Sequence, residues 1–224
     1  MAVPEPTRLV FSDVDETLLT RKSLFDFLDY YFTRRYGAAG ARHVDQTRRC
    51  LTALAAAGAP RERGNLAYYR AWEGQHEASV AESARRWFVA ASAEKGFYRA
   101  RTRAELRRHQ AEGGLLVLVS GGFPALLEPV AADIGARHLV CTNPEVREGR
   151  YTGGVVGDPV IGVGKGAAVR HLIGAYPHLG PQECYGYGDH VSDLPMLAEV
   201  GHPVVVGADP ALLAALPAAR VLPD

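Results

Sequence analysis

Short apolar runs that stop abruptly at glycine or acidic residues punctuate this chain. Residues 8–12 (RLVFS) end at Asp13 and Asp15, and residues 115–119 (LLVLV) follow Gly113-Gly114 and run into Ser120-Gly121-Gly122. Three more runs, 138–142, 184–187 and 203–206, are each bounded by Gly, Pro, Asn or Asp. Runs of this length and bounding predict strands buried on both faces. Helical stretches are predicted between them at 124–134, 165–174 and 193–199. Strand and helix alternating in this way predict an α/β fold: a doubly wound, Rossmann-like parallel sheet with helices on both faces and 8–12 central in it.

The stretch from about 22 to 110 carries no strand pattern. Phe25, Leu28 and Phe32, then Leu51 and Leu54, recur at helical spacing, and Tyr68, Tyr69, Trp72, Trp87, Phe88, Phe97 and Tyr98 crowd the same region. It predicts several helices, broken by one loop at 55–65 (AAAGAPRERGN), with the aromatics forming their core. The domain expectation is a core made of residues 1–22 and 108–224, with a helical subdomain, 23–107, inserted between its first two strands.

Composition narrows the function classes. The 224 residues include 25 basic and 25 acidic side chains and carry no net charge, which argues against a broad surface for nucleic acid or anionic membrane. No apolar run approaches the ~18 residues of a membrane span, and the N-terminal MAVPEPT lacks the pattern of a secretory signal. Cys50, Cys141 and Cys184 are scattered and are expected to be buried free thiols in a reducing compartment. The expectation is a cytoplasmic protein acting on a small molecule, as a monomer or homodimer. Only three lysines occur, Lys22, Lys95 and Lys165, so arginine is the routine surface cation.

Four segments carry candidate chemistry. Asp13 and Asp15 stand just past the first strand, where open α/β sheets bind ligands and where an aspartate can ligate a hard cation or attack phosphorus. Ser120-Gly121-Gly122 can cradle an anion with a hydroxyl and unobstructed backbone. Lys165, in GVGKG, sits near a helix start, where an ammonium can meet an anion. It is not a nucleotide P-loop, because Gly166 replaces the required Ser or Thr and Pro159 the first Gly. Finally, Asp189 and Asp193 bracket a strand-to-helix turn, GDHVSD. Each segment alone reads equally as a turn or helix cap. The weight lies in all four occurring in order, each at a strand end or helix start. His190 and the arginines at 99, 101, 103, 107 and 108 are expected to be a bystander and a solvated face.

Taken together, DVDETL, LVLVSGGF, Lys165 in GVGKG and YGDHVSDLPML resemble the four motifs of the haloacid dehalogenase superfamily of phosphohydrolases. SGGF, NPEVREGRYTGGV and the fourth motif are most similar to its phosphoserine-phosphatase-like branch, in which a helical cap lies between the first and second motifs. The resemblance implies that Asp13 is the nucleophile and Asp15 the general acid and base. It implies Mg²⁺ held by Asp13, the Asp15 carbonyl and Asp189, with Asp193 orienting Lys165 or a metal-bound water. Ser120, Gly121 and Lys165 would bind the phosphoryl oxygens, with Thr17 also counted among the phosphate- or substrate-binding residues while it shapes the first motif and helps to position Asp15. Ser192 stands where phosphoserine phosphatases have Asn, and Lys22 where they have a glutamate for the substrate ammonium. Both are expected at the substrate, and Lys22 is expected to disfavour phosphoserine and to favour an acidic or polyhydroxylated phosphate. Asp15 speaks against a dehalogenase, which lacks that aspartate, and against the transport ATPases, which carry Thr there. The implied function is hydrolysis of a small phosphomonoester through an aspartyl-phosphate. A phosphotransferase or mutase, and a retired binding protein on the same fold, are the alternatives.

Overall fold

A computed structural model describes residues 5–223; the first four residues of the N-terminal segment lie outside them. Six parallel strands form the sheet: β1 (Arg8–Ser12), β2 (Gly114–Ser120), β3 (His138–Cys141), and, after a hairpin of β4 (Asn143–Arg147) and β5 (Arg150–Val156), β6 (Cys184–Gly188), β7 (His202–Val206) and β8 (Arg220–Leu222). Their order is β3-β2-β1-β6-β7-β8, which makes β1 an inner strand. The chain winds outward from β1 through β2 to β3, then returns beside β1 and winds the other way. The winding therefore reverses between β1 and β6, the position at which such sheets open a crevice at their carboxyl edge.

Side-chain alternation explains why these runs are continuous in sequence yet two-sided in space. Val10, Leu116, Leu118 and Tyr187 face one core, whereas Leu9, Phe11, Val117 and Val119 face the other. Successive strand residues point to opposite faces, so a strand covered on both sides must be apolar throughout. The second core is closed by α6 (Val163–Gly174), α7 (Leu194–Leu197) and α8 (Pro210–Ala215), through Val169, Met196, Leu197 and Leu212. The first is closed by the inserted helices α1 (Ser23–Ala56), α2 (Arg61–Arg70) and α3 (Glu77–Ser92), and by α4 (Ala100–Ala111) and α5 (Pro124–Ile134).

The insertion is helical, as expected, but its core is continuous with that of the sheet. Phe27 stacks on Trp72 at 5.4 Å between ring centroids, and Trp72 lies 5.4 Å from Phe123, which leads into α5. Such pairs hold the inserted helices to the sheet face through aromatic area. The boundary placed at residue 107 falls inside α4.

Several local expectations are corrected. α1 is broken at Gly37 (φ 56°), and the chain then doubles so closely that a Cβ at Gly40 would lie 1.9 Å from the Phe32 carbonyl oxygen. The expected loop at 55–65 is shorter: Arg61 to Asn65 are already helical, because Pro60 precedes the first turn and its carbonyl accepts from the Arg63 N–H. The helix expected at 193–199 is a 3-10 turn followed by only Leu194–Leu197. The antiparallel pair β4–β5 was not read as strands; its turn, Glu148-Gly149, has positive φ at both residues, as a tight hairpin requires. Cys141 and Cys184 are buried but Cys50 is exposed. Arg101, Arg107 and Arg108 are solvated, whereas Arg99 and Arg103 are half-buried. Arg103 pairs with Asp133 and lies over the Tyr98 ring.

Candidate active site

Register brings the candidate residues together. Ser12 lies opposite Leu118 on one side and Tyr187 on the other, so Asp13, Ser120 and Asp189 emerge at one carboxyl edge. The Asp13 N–H still donates to the Tyr187 carbonyl (2.9 Å), carrying the ladder one residue past β1. These residues line a cavity of about 170 Å³ with Asp15, Gly121, Lys165, Ser192 and Asp193. Leu24, Phe25, Arg61 and Asn65, from the inserted helices, form its opposite wall.

Lys165, 3% exposed, is the hub of the site. It lies in the first turn of α6, and its ammonium donates to Asp13 Oδ1 and to Asp193 Oδ1, the latter at 2.7 Å. A Cβ at residue 166 would lie 2.7 Å from the Pro195 carbonyl oxygen, so Gly is required there for α6 to approach α7 closely enough. That is the physical reason for the Lys-Gly pair that departs from a P-loop. The second carboxylate oxygen of Asp193 accepts from the backbone N–H groups of Asp189 (3.2 Å) and His190 (3.3 Å). With both oxygens occupied, Asp193 orients Lys165 and tightens the turn that presents Asp189.

Charge is concentrated here against the cost of burial. Burial raises the Asp13 carboxyl well above the usual range, Lys165 lowers it, and Asp193 and Asp189 raise it further. For Lys165, burial favours loss of the proton, but Asp13 and Asp193 outweigh it and hold the ammonium charged. Burial also raises Asp189, against the Thr17 hydrogen bond that lowers it. Asp15 is pushed up to about 6, chiefly by burial, with hydrogen bonds from Ser23 opposing. A carboxyl poised near neutrality is suited to giving and taking a proton.

Thr17 stands apart from its expected role. It is fully buried, and its hydroxyl donates to Asp189 Oδ1 at 2.6 Å rather than to Asp15. Asp15 is held instead by Ser23, through the backbone N–H (2.9 Å) and hydroxyl (2.5 Å), both to Oδ1. The helix start at Ser23 directs these donors at the carboxylate. Ser120 Oγ accepts from the Gly122 N–H at 3.0 Å, leaving the hydroxyl proton for an anion. Gly121 is held from the insertion: Asn65 Nδ2 and the Tyr69 hydroxyl both donate to its carbonyl at 2.8 Å. Asn65 and Tyr69 are four apart on α2 and so share a face, a signal present in the sequence but indistinguishable from core spacing.

His190 caps the turn after β6. Its Nδ1 accepts from the Ser192 N–H (3.0 Å) and lies 2.8 Å from Arg61 Nη1, so Nε2 carries the proton. Ser192 Oγ stands 3.1 Å from the same ring nitrogen. Lys22 reaches the cavity edge, where its ammonium meets Glu16 at 3.2 Å, with both side chains largely exposed.

The donor set fits a hard divalent cation. Asp13, Asp189 and Asp193 each offer a carboxylate oxygen, and these oxygens lie within 4.8 Å of one another. Because both Asp193 oxygens are already taken, Asp13 and Asp189 are the two carboxylates left to an ion, and oxygen donors alone favour a hard divalent cation over softer metals.

Comparison with known proteins agrees with this geometry. The haloacid dehalogenase-like hydrolase profile matches residues 10–198. A probable phosphatase of Mycobacterium tuberculosis is 39% identical over 103 residues, 45% of this chain and 34% of its own length. A phosphoserine phosphatase of the same organism is 33% identical over 95 residues, 42% of this chain and 23% of its own. The matched stretch thus spans about a third or less of these relatives. A solved Bordetella pertussis protein of unknown function superposes with a TM-score of 0.82 at 26% identity, over 97% of this chain and 99% of that one. A substrate-bound phosphoserine phosphatase superposes with a TM-score of 0.71 at 16% identity, over 99% and 95%, a likeness of fold. The profile match over most of the chain, joined to this sheet order and motif geometry, establishes that the chain belongs to the haloacid dehalogenase-like hydrolases.

Proposed function

We propose that this chain is a Mg²⁺-dependent phosphatase that hydrolyses a small phosphomonoester through an aspartyl-phosphate on Asp13. The observation that carries the reading is Lys165, buried between Asp13 and Asp193 where three strand ends converge. A buried ammonium beside a buried carboxylate nucleophile is a seat for a phosphoryl group.

The substrate phosphoryl oxygens are held by Lys165, the Ser120 hydroxyl and the backbone at Gly121. An Asp13 carboxylate oxygen forms the bond to phosphorus as the bond to the alcohol oxygen breaks. Neutral Asp15 gives its proton to that leaving oxygen, then takes one from the water that attacks phosphorus and frees Asp13. Asp13, Asp189 and the Asp15 carbonyl would hold Mg²⁺, which supplies positive charge against the phosphoryl oxygens when bound. Asp193 is reserved for Lys165 by its own hydrogen bonds.

Lys22 and Arg61 line the cavity mouth, where a substrate ammonium would be repelled, so the reading is a phosphatase for substrates other than phosphoserine. Phosphate release from a panel of phosphomonoesters tests it, with added Mg²⁺ and with excess chelator. Hydrolysis that needs Mg²⁺, and needs more of it in Asp189→Ala, is expected. Undiminished turnover in excess chelator overturns the metal assignment, and transfer to an added alcohol in preference to water would make it a phosphotransferase.

A further inference from the structure

A second cavity, of about 360 Å³, opens from the phosphate site. The two share Lys22, Leu24, Phe25, Arg61, Asn65, Ile161 and His190 as a common wall. Beyond that wall the second is bounded by Leu51, Leu54, Ala55, Ala59 and Tyr68, between the distal part of α1 and α2. No acidic residue, serine or threonine lines it. Of the polar groups that do, the Tyr68 hydroxyl donates to the Leu24 carbonyl (2.9 Å), Asn65 to Gly121 and Arg61 to His190, while Lys22 and His190 stand on the wall shared with the phosphate site. Its inner end therefore offers a substrate almost no free hydrogen-bonding partner.

Resting on the phosphate site assigned above, we propose that this chamber holds an apolar substituent of the substrate alcohol. The substrate class is then an amphipathic phosphomonoester, with an alkyl or comparable hydrocarbon chain running from the phosphate past Phe25 to Leu51 and Leu54. Three observations support it. The chamber adjoins the phosphate site across shared lining residues, Phe25 among them, so the two lie within reach of one extended molecule. Leu51 and Leu54 are half-buried, one helical turn apart, and both line the chamber, Leu51 also packing against the core. A polyhydroxylated alcohol placed there would find few protein partners along Leu51, Leu54 and Ala59, whereas a hydrocarbon chain would cover their apolar surface.

Binding of n-alkyl phosphonates tests the chamber without requiring turnover. Affinity for ethyl, butyl, hexyl and octyl phosphonate is measured by calorimetry on the whole protein with Mg²⁺ present. Burial of each added methylene is worth up to about fourfold in affinity, so a rise of about tenfold or more from ethyl to hexyl is expected, with a negative heat-capacity change. Leu54→Asp should flatten the series and leave ethyl phosphonate within about twofold of wild type, as judged against the fourfold per methylene above. Ala59→Trp, which fills the chamber, should do the same and guards against a folding defect in the first variant. A length-independent series in the wild type overturns the inference. So does sedimentation as a dimer with a flat series, which would assign the groove to a second copy. Length-dependent binding without hydrolysis would sustain the chamber and refute only the phosphatase reading.

Discussion

His109 on α4 is fixed neutral, and that carries a pH cost for stability. The ring is 1% exposed, its Nε2 meets the Tyr187 hydroxyl at 2.9 Å, and its Nδ1 is buried with no hydrogen-bond partner. It also packs against Tyr185, with ring centroids 4.3 Å apart and the planes tilted by 51°. Protonation would place a donor with no acceptor, and a cation near Arg108 and Arg8, inside the sheet–helix interface. Burial first, then those arginines, lowers its pKa from 6.5 to about 4. Between these values the unfolded chain binds a proton that the folded chain refuses, so stability falls as pH falls through this window and is unaffected above it. The full shift integrates to about 2 kcal/mol between pH 7.5 and 5. That value already contains the opposing pull of Glu105 and Glu112, and with solvent screening near the helix surface the expected loss is about 1–2 kcal/mol. Urea unfolding followed by fluorescence of the buried Trp72 and Trp87 measures it at both pH values. His109→Phe keeps an aromatic ring and removes the titration, so subtracting its pH dependence isolates the imidazole from the raised carboxyls of Asp13, Asp15 and Asp189. Equal losses in wild type and His109→Phe would refute the reasoning.

Three further outcomes follow from the site. Asp15→Asn should lower kcat by ~10²–10⁴-fold with little effect on binding of a phosphate mimic, and a variant within a few-fold of wild type would remove Asp15 as the acid and base. Asn65→Leu should leave the Gly121 carbonyl to Tyr69 alone, costing about 1 kcal/mol or more in stability and weakening phosphate binding; unchanged KM in a folded variant would show that the insertion does not set this loop. Lys22→Glu should raise kcat/KM for phosphoserine relative to an uncharged ester. The gain should be modest, about 1 kcal/mol or less, because Lys22 is exposed and already meets Glu16, and an unchanged ratio would make it a surface lysine.

The sheet and the motif residues were legible because doubly covered strands read as uninterrupted apolar runs, and because β1, β2 and β6 end in polar residues that their register gathers. Asp13, Ser120, Lys165 and Asp189 therefore meet where their order along the chain implied. What the sequence concealed depends on contacts across long separations. Ser23 is eight residues from Asp15, yet only the helix start at Ser23 aims two donors at one oxygen. Asn65 and Tyr69 read as ordinary α2 residues until the fold sets them over Gly121, more than fifty residues away. Thr17 followed the first motif closely enough to suggest Asp15 as its partner, but the turn at Glu16 (φ 61°) directs it to Asp189. The hairpin β4–β5 escaped because its strands, as long as β1 and β2, are only partly buried and carry Arg, Glu, Thr and Gly, so the apolar signal used for the core strands is diluted.

The aspartyl-phosphate on Asp13 is the central claim, and trapping it is the most direct test. The enzyme, turning over a confirmed substrate, is quenched in hydroxylamine, which cleaves an acyl phosphate to a hydroxamate on the same carboxyl. Mass spectrometry of the peptide around β1 should find that hydroxamate at Asp13, and Asp13→Asn should give neither adduct nor turnover. Hydrolysis with the adduct on another residue, or near wild-type turnover by Asp13→Asn, would contradict the account.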